Sequence, residues 1–239
     1  MKHLVELSMT AVQTHPKRLA DSVTIIVDVL RATTTILTLL SRGIKKIYPV
    51  VTVEDAFSLK ARHPDSLLCG ERGGEKVPGF DFGNSPAEFA AAALAASEVI
   101  LTTTNGTLAV SKSTAAQCVF AGCLRNATAV ADASAEAGRS GRVVIVCAGT
   151  EGAFSLDDFY AAGVMAAALH ARGFGLTDAA WAAALFTRHP LRDCLNADTC
   201  RHVRTLHSKG FTNDIDFAFD LDAESIVPKY NSKGGFFSL

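Results

Sequence analysis

Residues 23–41 read VTIIVDVLRATTTILTLLS, and this stretch sets the architecture. The β-branched run predicts a strand over Val23–Val29. The following Ala32–Ser41 predicts a helix, closed by Gly43 just beyond its end. A buried-type strand running through a short polar turn into a helix is the unit of a parallel sheet. The same alternation recurs outward from it. Strands are predicted over Lys46–Val50, Leu67–Cys69, Val99–Thr102, Cys118–Ala121 and Val143–Cys147. Helices are predicted over Glu54–Arg62, Pro86–Ala96, Leu108–Ala116, Leu124–Ala137, Leu156–Arg172 and Asp178–Phe186, with Gly138 and Gly173 as further stop signals. The expected fold is one layered α/β/α domain over residues 1–239, with a largely parallel sheet that the chain ends can extend by antiparallel strands. Residues beyond about Leu191 carry no clear periodicity, and the tail ends in an apolar Gly-Gly-Phe-Phe patch.

Composition narrows the function class. The 239 residues are 49% apolar and 20% charged, the balance of a globular chain with a substantial core. A formal net charge of −1 gives no footprint for nucleic acid or an anionic membrane. No apolar run approaches a membrane span, and the N-terminal MKHLVELSM is not of signal type. The six cysteines form no C-x-x-C pair, which argues against a zinc knuckle or a redox motif and fits a cytoplasmic protein with reduced thiols.

In open α/β sheets ligands bind beyond the carboxyl ends of the strands. There this chain places Asp28, Arg31, Thr33, Thr34 and Thr35; then Thr102, Thr103, Thr104, Asn105, Gly106 and Thr107; then Thr150, Glu151, Ser155, Asp157 and Asp158. A fourth strand end opens into Cys69–Phe89, CGERGGEKVPGFDFGNSPAEF. Its glycines and prolines argue against a helix or inner strand, while Val77, Phe80 and Phe82 argue against disorder. It reads as an ordered active-site loop bearing Glu71, Arg72, Lys76, Asn84 and Ser85. Threonine hydroxyls and free N–H groups at helix starts suit an oxyanion, and Asn105-Gly106 lets the backbone approach it. Arg31 and Arg72 can each clamp an anion, and the carboxylates are hard ligands of the kind Mg²⁺ takes together with a phosphate. The combination describes phosphoryl transfer.

Structural readings stand beside these. Ser155 and Asp158 match a capping box, Thr107 can cap its helix, Arg31 can be an ion-pair partner of Asp28, and Asp214 and Asp216 can line an exposed edge strand. The seven histidines show no metal-binding spacing and read as surface or core residues. No G-x-x-x-x-G-K-S/T loop occurs, no Cys precedes an Arg by six positions, no Arg-His-Gly is present, and Leu30 breaks an Asp-x-Asp nucleophile pattern. The common phosphate-handling families are thereby excluded.

Taken together, VDVLRATTT, GERGG with PGFDFGNSP and Glu88, TTTNGT, and CAGTEG with SLDD resemble the 2-phosphosulfolactate phosphatase family. The resemblance implies an α/β fold and Mg²⁺-dependent hydrolysis of 2-phospho-3-sulfolactate to 3-sulfolactate and phosphate, in a route to coenzyme M. By motif it implicates Asp28, Arg31, Glu71, Arg72, Asn84, Ser85, Thr104, Asn105 and Asp157. The residue chemistry assigns the roles: Asp28, Glu71 and Asp157 as metal ligands, with Asp28, Arg31 and Glu71 catalytic. Thr33, Thr34, Arg72, Lys76, Asn84, Ser85 and Thr103–Thr107 would bind substrate. The expected partner is a small anionic phosphate ester, and the apolar tail is compatible with a homodimer. Two other classes fit the same pocket less well: a non-catalytic sensor of an anionic metabolite and a structural subunit.

Overall fold

Residues 3–138, 141–231 and 234–239 are described by a computed structural model. Strands run β1 Leu4–Ser8, β2 Ser22–Val27, β3 Lys46–Pro49, β4 Leu67–Arg72, β5 Glu75–Lys76, β6 Glu98–Thr102, β7 Cys118–Gly122, β8 Arg142–Cys147, β9 Gly175–Leu176, β10 Pro228–Asn231 and β11 Gly235–Ser238. Helices run α1 Pro16–Leu19, α2 Ala32–Ser41, α3 Val53–Arg62, α4 Pro86–Ala91, α5 Gly106–Ser113, α6 Ala127–Ala137, α7 Leu156–Ala171, α8 Asp178–Phe186, α9 Leu191–Cys194, α10 Arg201–Ser208 and α11 Thr212–Ala218. All strands join one mixed sheet in the order β5-β4-β6-β3-β11-β10-β7-β2-β8-β1-β9. The α/β class with a large, mostly parallel sheet is thus as expected.

Alternation along the inner strands supplies both faces. Ile25, Val143 and Ile145 belong to one apolar cluster, with Met165 and Leu169 of α7. Their neighbours Ile26, Val144 and Val146 belong to another, with Ile36 and Leu39 of α2 and Val110 of α5. Period-two burial on both sides is what a sheet covered by helices requires.

Two parallel blocks flank an antiparallel hairpin. β10 pairs β7, β11 pairs β3, and both contacts are antiparallel. The Gly-Gly-Phe-Phe tail is therefore part of the sheet interior, with Phe236 fully buried. Over this hairpin the chain crosses in opposite directions, from β2 through α2 to β3 and from β6 through α5 to β7. Divergent crossings leave a crevice at the strand ends, which is where a doubly wound sheet takes its ligand.

Two expectations fail locally. The Cys69–Phe89 segment is not loop throughout: β4 continues through Arg72 and turns back at Gly73 and Gly74 into β5. Both turn glycines have positive φ, 60° and 85°, the demand of a tight type I′ hairpin. Gly70 sits within the strand because a Cβ there would lie 2.1 Å from the Thr102 carbonyl oxygen of β6. The predicted helix Pro86–Ala96 stops at Ala91, where Ala92 turns to ψ 147° and the alanine-rich remainder leads toward β6.

Candidate active site

The β2–α2 turn forms the floor. The Thr33 hydroxyl donates to the Asp28 carbonyl (2.8 Å) and the Thr34 hydroxyl to the Val29 carbonyl (2.7 Å), so both threonines close their own turn instead of facing a ligand. Asp28 Oδ1 accepts from the Ala32 N–H (3.2 Å). Its Oδ2 lies against the start of α5, where a Cβ on Gly106 would come within 2.8 Å of it and 2.4 Å of Ala32 Cβ. Glycine at 106 is what lets the two helix starts meet over one carboxylate. The Leu30–Arg31 peptide is cis.

The other walls follow from the neighbouring turns. Glu71 accepts from the Thr104 N–H (2.7 Å) and the Gly74 N–H (2.6 Å), tying the β4–β5 hairpin to the β6–α5 turn. Thr103 and Thr107 serve each other: the Thr107 N–H donates to Thr103 Oγ1, and the Thr107 hydroxyl donates to the Thr103 carbonyl. Asn105 Oδ1 accepts from the Glu151 N–H (3.0 Å), bringing in the turn after β8. The result is an open cleft of about 270 Å³ lined by Asp28, Arg31, Glu71, Asn84, Thr103, Thr104, Asn105, Thr150 and Glu151, and closed by Arg201, His202, Thr205 and Lys209 at α10. Asn84 is buried and its Oδ1 has no partner among the described residues, leaving an acceptor available at the wall.

Several expected residues point elsewhere. Arg72 donates to the Glu71 and Val51 carbonyls and to Thr102 Oγ1, on the side away from the cleft. Lys76 is exposed on β5 and does not line the cleft. Ser85 caps α4, accepting from the Glu88 N–H while its hydroxyl donates to Asp214 (2.6 Å). Arg31 lines the cleft, but its charge is spent on Asp214 (2.8 Å) instead of Asp28, and its guanidinium covers the Phe211 ring. Asp214 lies in α11, buried, and takes donors from Arg31, Ser85 and the Ala87 N–H; it is not on an exposed strand. Asp216 does reach solvent, where it pairs with Arg192.

Asp157 and Asp158 are both buried at the start of α7. No capping box forms: Ser155 gives its hydroxyl to Asp157 (2.6 Å), and Asp158 accepts from the Val29 N–H (2.9 Å) and the Gly149 N–H (3.0 Å), stitching the turns after β2 and β8 together. Asp157 stands behind His202, with Oδ2 3.4 Å from His202 Nδ1, and does not line the cleft. In the sequence His202 reads as an ordinary histidine, because its significance comes from a carboxylate 45 positions away; the amphipathic pattern of Val203 and Leu206 marks its helix but not this pairing.

The buried charges are strongly coupled. Burial pushes the Asp28 carboxyl up to about 6, against the attraction of His202 and the Ala32 N–H, with Asp157 and Glu71 adding to the rise. Burial and the neighbouring Asp157 and Asp28 hold Asp158 well above the usual carboxylate range. Burial would raise Asp157 too, but His202 and the Ser155 hydroxyl bring it below its ordinary value. Burial would lower His202, and Asp157 reverses this to a raised value, so the pair favours carboxylate with imidazolium.

Among the described residues, no group of three or more His, Cys, Asp and Glu side chains is disposed to hold a metal ion. Asp28 and Glu71 share the cleft, each with lone pairs beyond the hydrogen bonds named, and Asp157 does not join them. Mg²⁺ commonly takes one or two protein carboxylates and completes its shell with water and phosphate, so Asp28 and Glu71 fit that demand as a pair.

A sequence model of the family described as 2-phosphosulpholactate phosphatase matches residues 9–233. A protein of Deinococcus radiodurans named probable 2-phosphosulfolactate phosphatase is 43% identical over 208 residues, covering 86% of each chain. Proteins of the same name from Carboxydothermus hydrogenoformans and Clostridium acetobutylicum are 38% and 34% identical over 221 and 233 residues, covering 92% and 95% of this chain and 90% and 97% of theirs. No described helix is long and apolar enough to cross a membrane.

Proposed function

This chain belongs to the 2-phosphosulfolactate phosphatase family of phosphoric monoester hydrolases, and from that premise we propose that it hydrolyses 2-phospho-3-sulfolactate, or a closely related phosphorylated 2-hydroxy acid, with Mg²⁺. The observation that carries the reading is one ionisable carboxyl, Asp28, on the floor of a cleft where the turns after four strands meet. A carboxyl with a pKa of about 6 is largely ionised at neutral pH, so a cation held beside it and the phosphate offsets the charge that burial penalises.

In the proposed reaction a water oxygen forms the new bond to phosphorus as the ester P–O bond breaks. The proton of the attacking water passes to an oxygen of the phosphate being formed. His202, held by Asp157 through Nδ1, gives a proton from Nε2 to the departing alkoxide. The turn of Thr103, Thr104 and Asn105 that leads into α5 lines the cleft, and the positive end of that helix's dipole favours the phosphoryl oxygens there. Asp28 and Glu71 would hold Mg²⁺, which supplies charge neutralisation at the phosphate and a lowered pKa for water.

The test is release of inorganic phosphate from 2-phospho-3-sulfolactate with Mg²⁺ and its loss in EDTA. Saturable binding without release would establish a sensor instead. Quenching a single turnover with borohydride, which reduces an aspartyl phosphate to homoserine, distinguishes water attack, which leaves Asp28 intact, from attack by Asp28, which converts it.

A further inference from the structure

Of the two arginines that the motifs single out, Arg31 lines the cleft but already has a charge partner in Asp214 and donates to the Gly74 carbonyl, and Arg72 is turned to Val51 and Thr102. The remaining cleft cations sit at α10. That helix packs Val203 and Leu206 into the core and presents Arg201, His202, Thr205 and Lys209 to the cleft. Lys209 is a tether, its Nζ donating to the Gly73 carbonyl (2.6 Å) and lying 3.4 Å from Glu75.

Arg201 is held differently. Its Nη2 donates to the Thr150 carbonyl (3.1 Å), and its Nη1 lies 3.9 Å from Glu151 Oε2, with the two side chains 57% and 73% exposed. An exposed pair at that separation is weak and easily exchanged. A guanidinium carries five N–H donors, so most of this one's capacity is unspent. Glu151 is nevertheless fixed in place from below. Its backbone adopts φ 54° between Gly149 and Gly152, also left-handed, and its N–H is held by Asn105, a residue of the phosphate-side turn. A carboxylate is therefore kept beside Arg201 at the mouth of the cleft, where a ligand's own acid would have to sit.

Building on the hydrolase reading above, we propose that Arg201 is the specificity residue for the substrate's non-reacting terminal acid. The sulfonate replaces Glu151 as its partner when substrate binds. Of the two acids on a phosphorylated sulfolactate, the sulfonate is one bond further from the ester oxygen than the carboxylate. With the phosphoryl group on the floor at Asp28, the sulfonate is the acid that extends toward the mouth. Sulfonate and guanidinium meet through two charge-assisted hydrogen bonds, which the weak internal pair does not match.

The experiment compares kcat/KM for 2-phospho-3-sulfolactate and for 2-phospholactate, which has a methyl in place of the sulfonated carbon, in the wild type, Arg201→Met and Glu151→Gln. In Arg201→Met the preference for the sulfonated substrate falls about tenfold or more, mainly through KM. In Glu151→Gln, KM for the sulfonated substrate drops severalfold while that for 2-phospholactate changes less. Equal loss on both substrates in Arg201→Met, or an unchanged preference, overturns the assignment while the hydrolase reading stands. Absence of phosphate release from either substrate by the wild type overturns the hydrolase reading, and this inference with it.

Discussion

Asp28→Asn separates the chemistry of the cleft from its cost to the fold. In the folded chain the Asp28 pKa rises from 3.8 to about 6, chiefly through burial. A raised acid binds its proton more tightly folded than unfolded, so stability falls as pH rises from 3.8 through 6, and the whole cost is present above that. Roughly two units at about 1.4 kcal/mol each amount to roughly 3 kcal/mol at pH 8. Asparagine keeps an oxygen for the Ala32 N–H and removes the charge, and it also relieves Asp158, which the Asp28 charge pushes up. In EDTA at pH 8 the variant should be more stable than wild type by about 2–3 kcal/mol, a melting-temperature gain of roughly 5 °C for a chain of this length. The gain should shrink toward zero as pH falls from 6 to 4, where the wild-type carboxyl takes up its proton. Phosphate release should fall about 10³-fold or more. Thermal or urea unfolding at pH 8, 6 and 4 reads the first quantity, and a phosphate assay the second. A variant less stable than wild type at pH 8, or one with the same gain at every pH, would refute the electrostatic argument; retained activity would refute the chemical one.

Saturating Mg²⁺ should raise the melting temperature of the wild type and not of Asp28→Asn; equal shifts would remove Asp28 from the proposed ion site. His202→Phe should destabilise the chain by about 3–5 kcal/mol near pH 6, below the ordinary imidazole value that Asp157 raises, because buried Asp157 loses its cation. The lowered Asp157 value means its share of that stability is lost as pH falls through its folded pKa, and the raised His202 value means its share is lost as pH rises through its own. Urea midpoints across pH should therefore show the largest difference from wild type between those limits. Gly106→Ala introduces a Cβ 2.4 Å from Ala32 and 2.8 Å from Asp28 Oδ2, so kcat/KM should drop about 10²-fold while overpacking costs about 1–3 kcal/mol by chemical unfolding. Deleting residues 228–239 removes the hairpin between β3 and β7 and should abolish soluble, cooperatively unfolding protein; a stable truncated chain would show the two parallel blocks to be independent.

What the sequence disclosed and what it withheld divide along one physical line. Helices α2 and α8 fall where their patterns put them, and the six apolar strands lie within two or three residues of expectation, since period and end signals are local properties of the chain. The polar strand ends also announced the cleft, because charge at the end of a buried strand needs a reason nearby. Two further features were locally encoded but subtler: Gly73-Gly74 between charged residues is a hairpin turn, and the Val203–Leu206 spacing marks an amphipathic helix. The roles of individual charges were not encoded in this way. Arg31 reads as an anion clamp until Asp214, 183 positions later, is seen to neutralise it. His202 reads as ordinary until Asp157 is behind it, and Lys229 and Tyr230 lie in a stretch without clear periodicity until they pair with β7. A motif fixes which residues line a turn, but the partner that spends or frees each charge is chosen by tertiary contact. For that reason the motif arginines turn out to be tied to Asp214 and to Val51 and Thr102, while two further residues of the cleft, Arg201 and His202, lie on a helix outside every conspicuous motif. Its C-terminal end is in turn fixed by Lys209 to the Gly73 carbonyl of the hairpin that carries Glu71. The cleft is thus closed by pieces from opposite ends of the chain, and its selectivity should be altered more readily at α10 than within the motifs that build its floor.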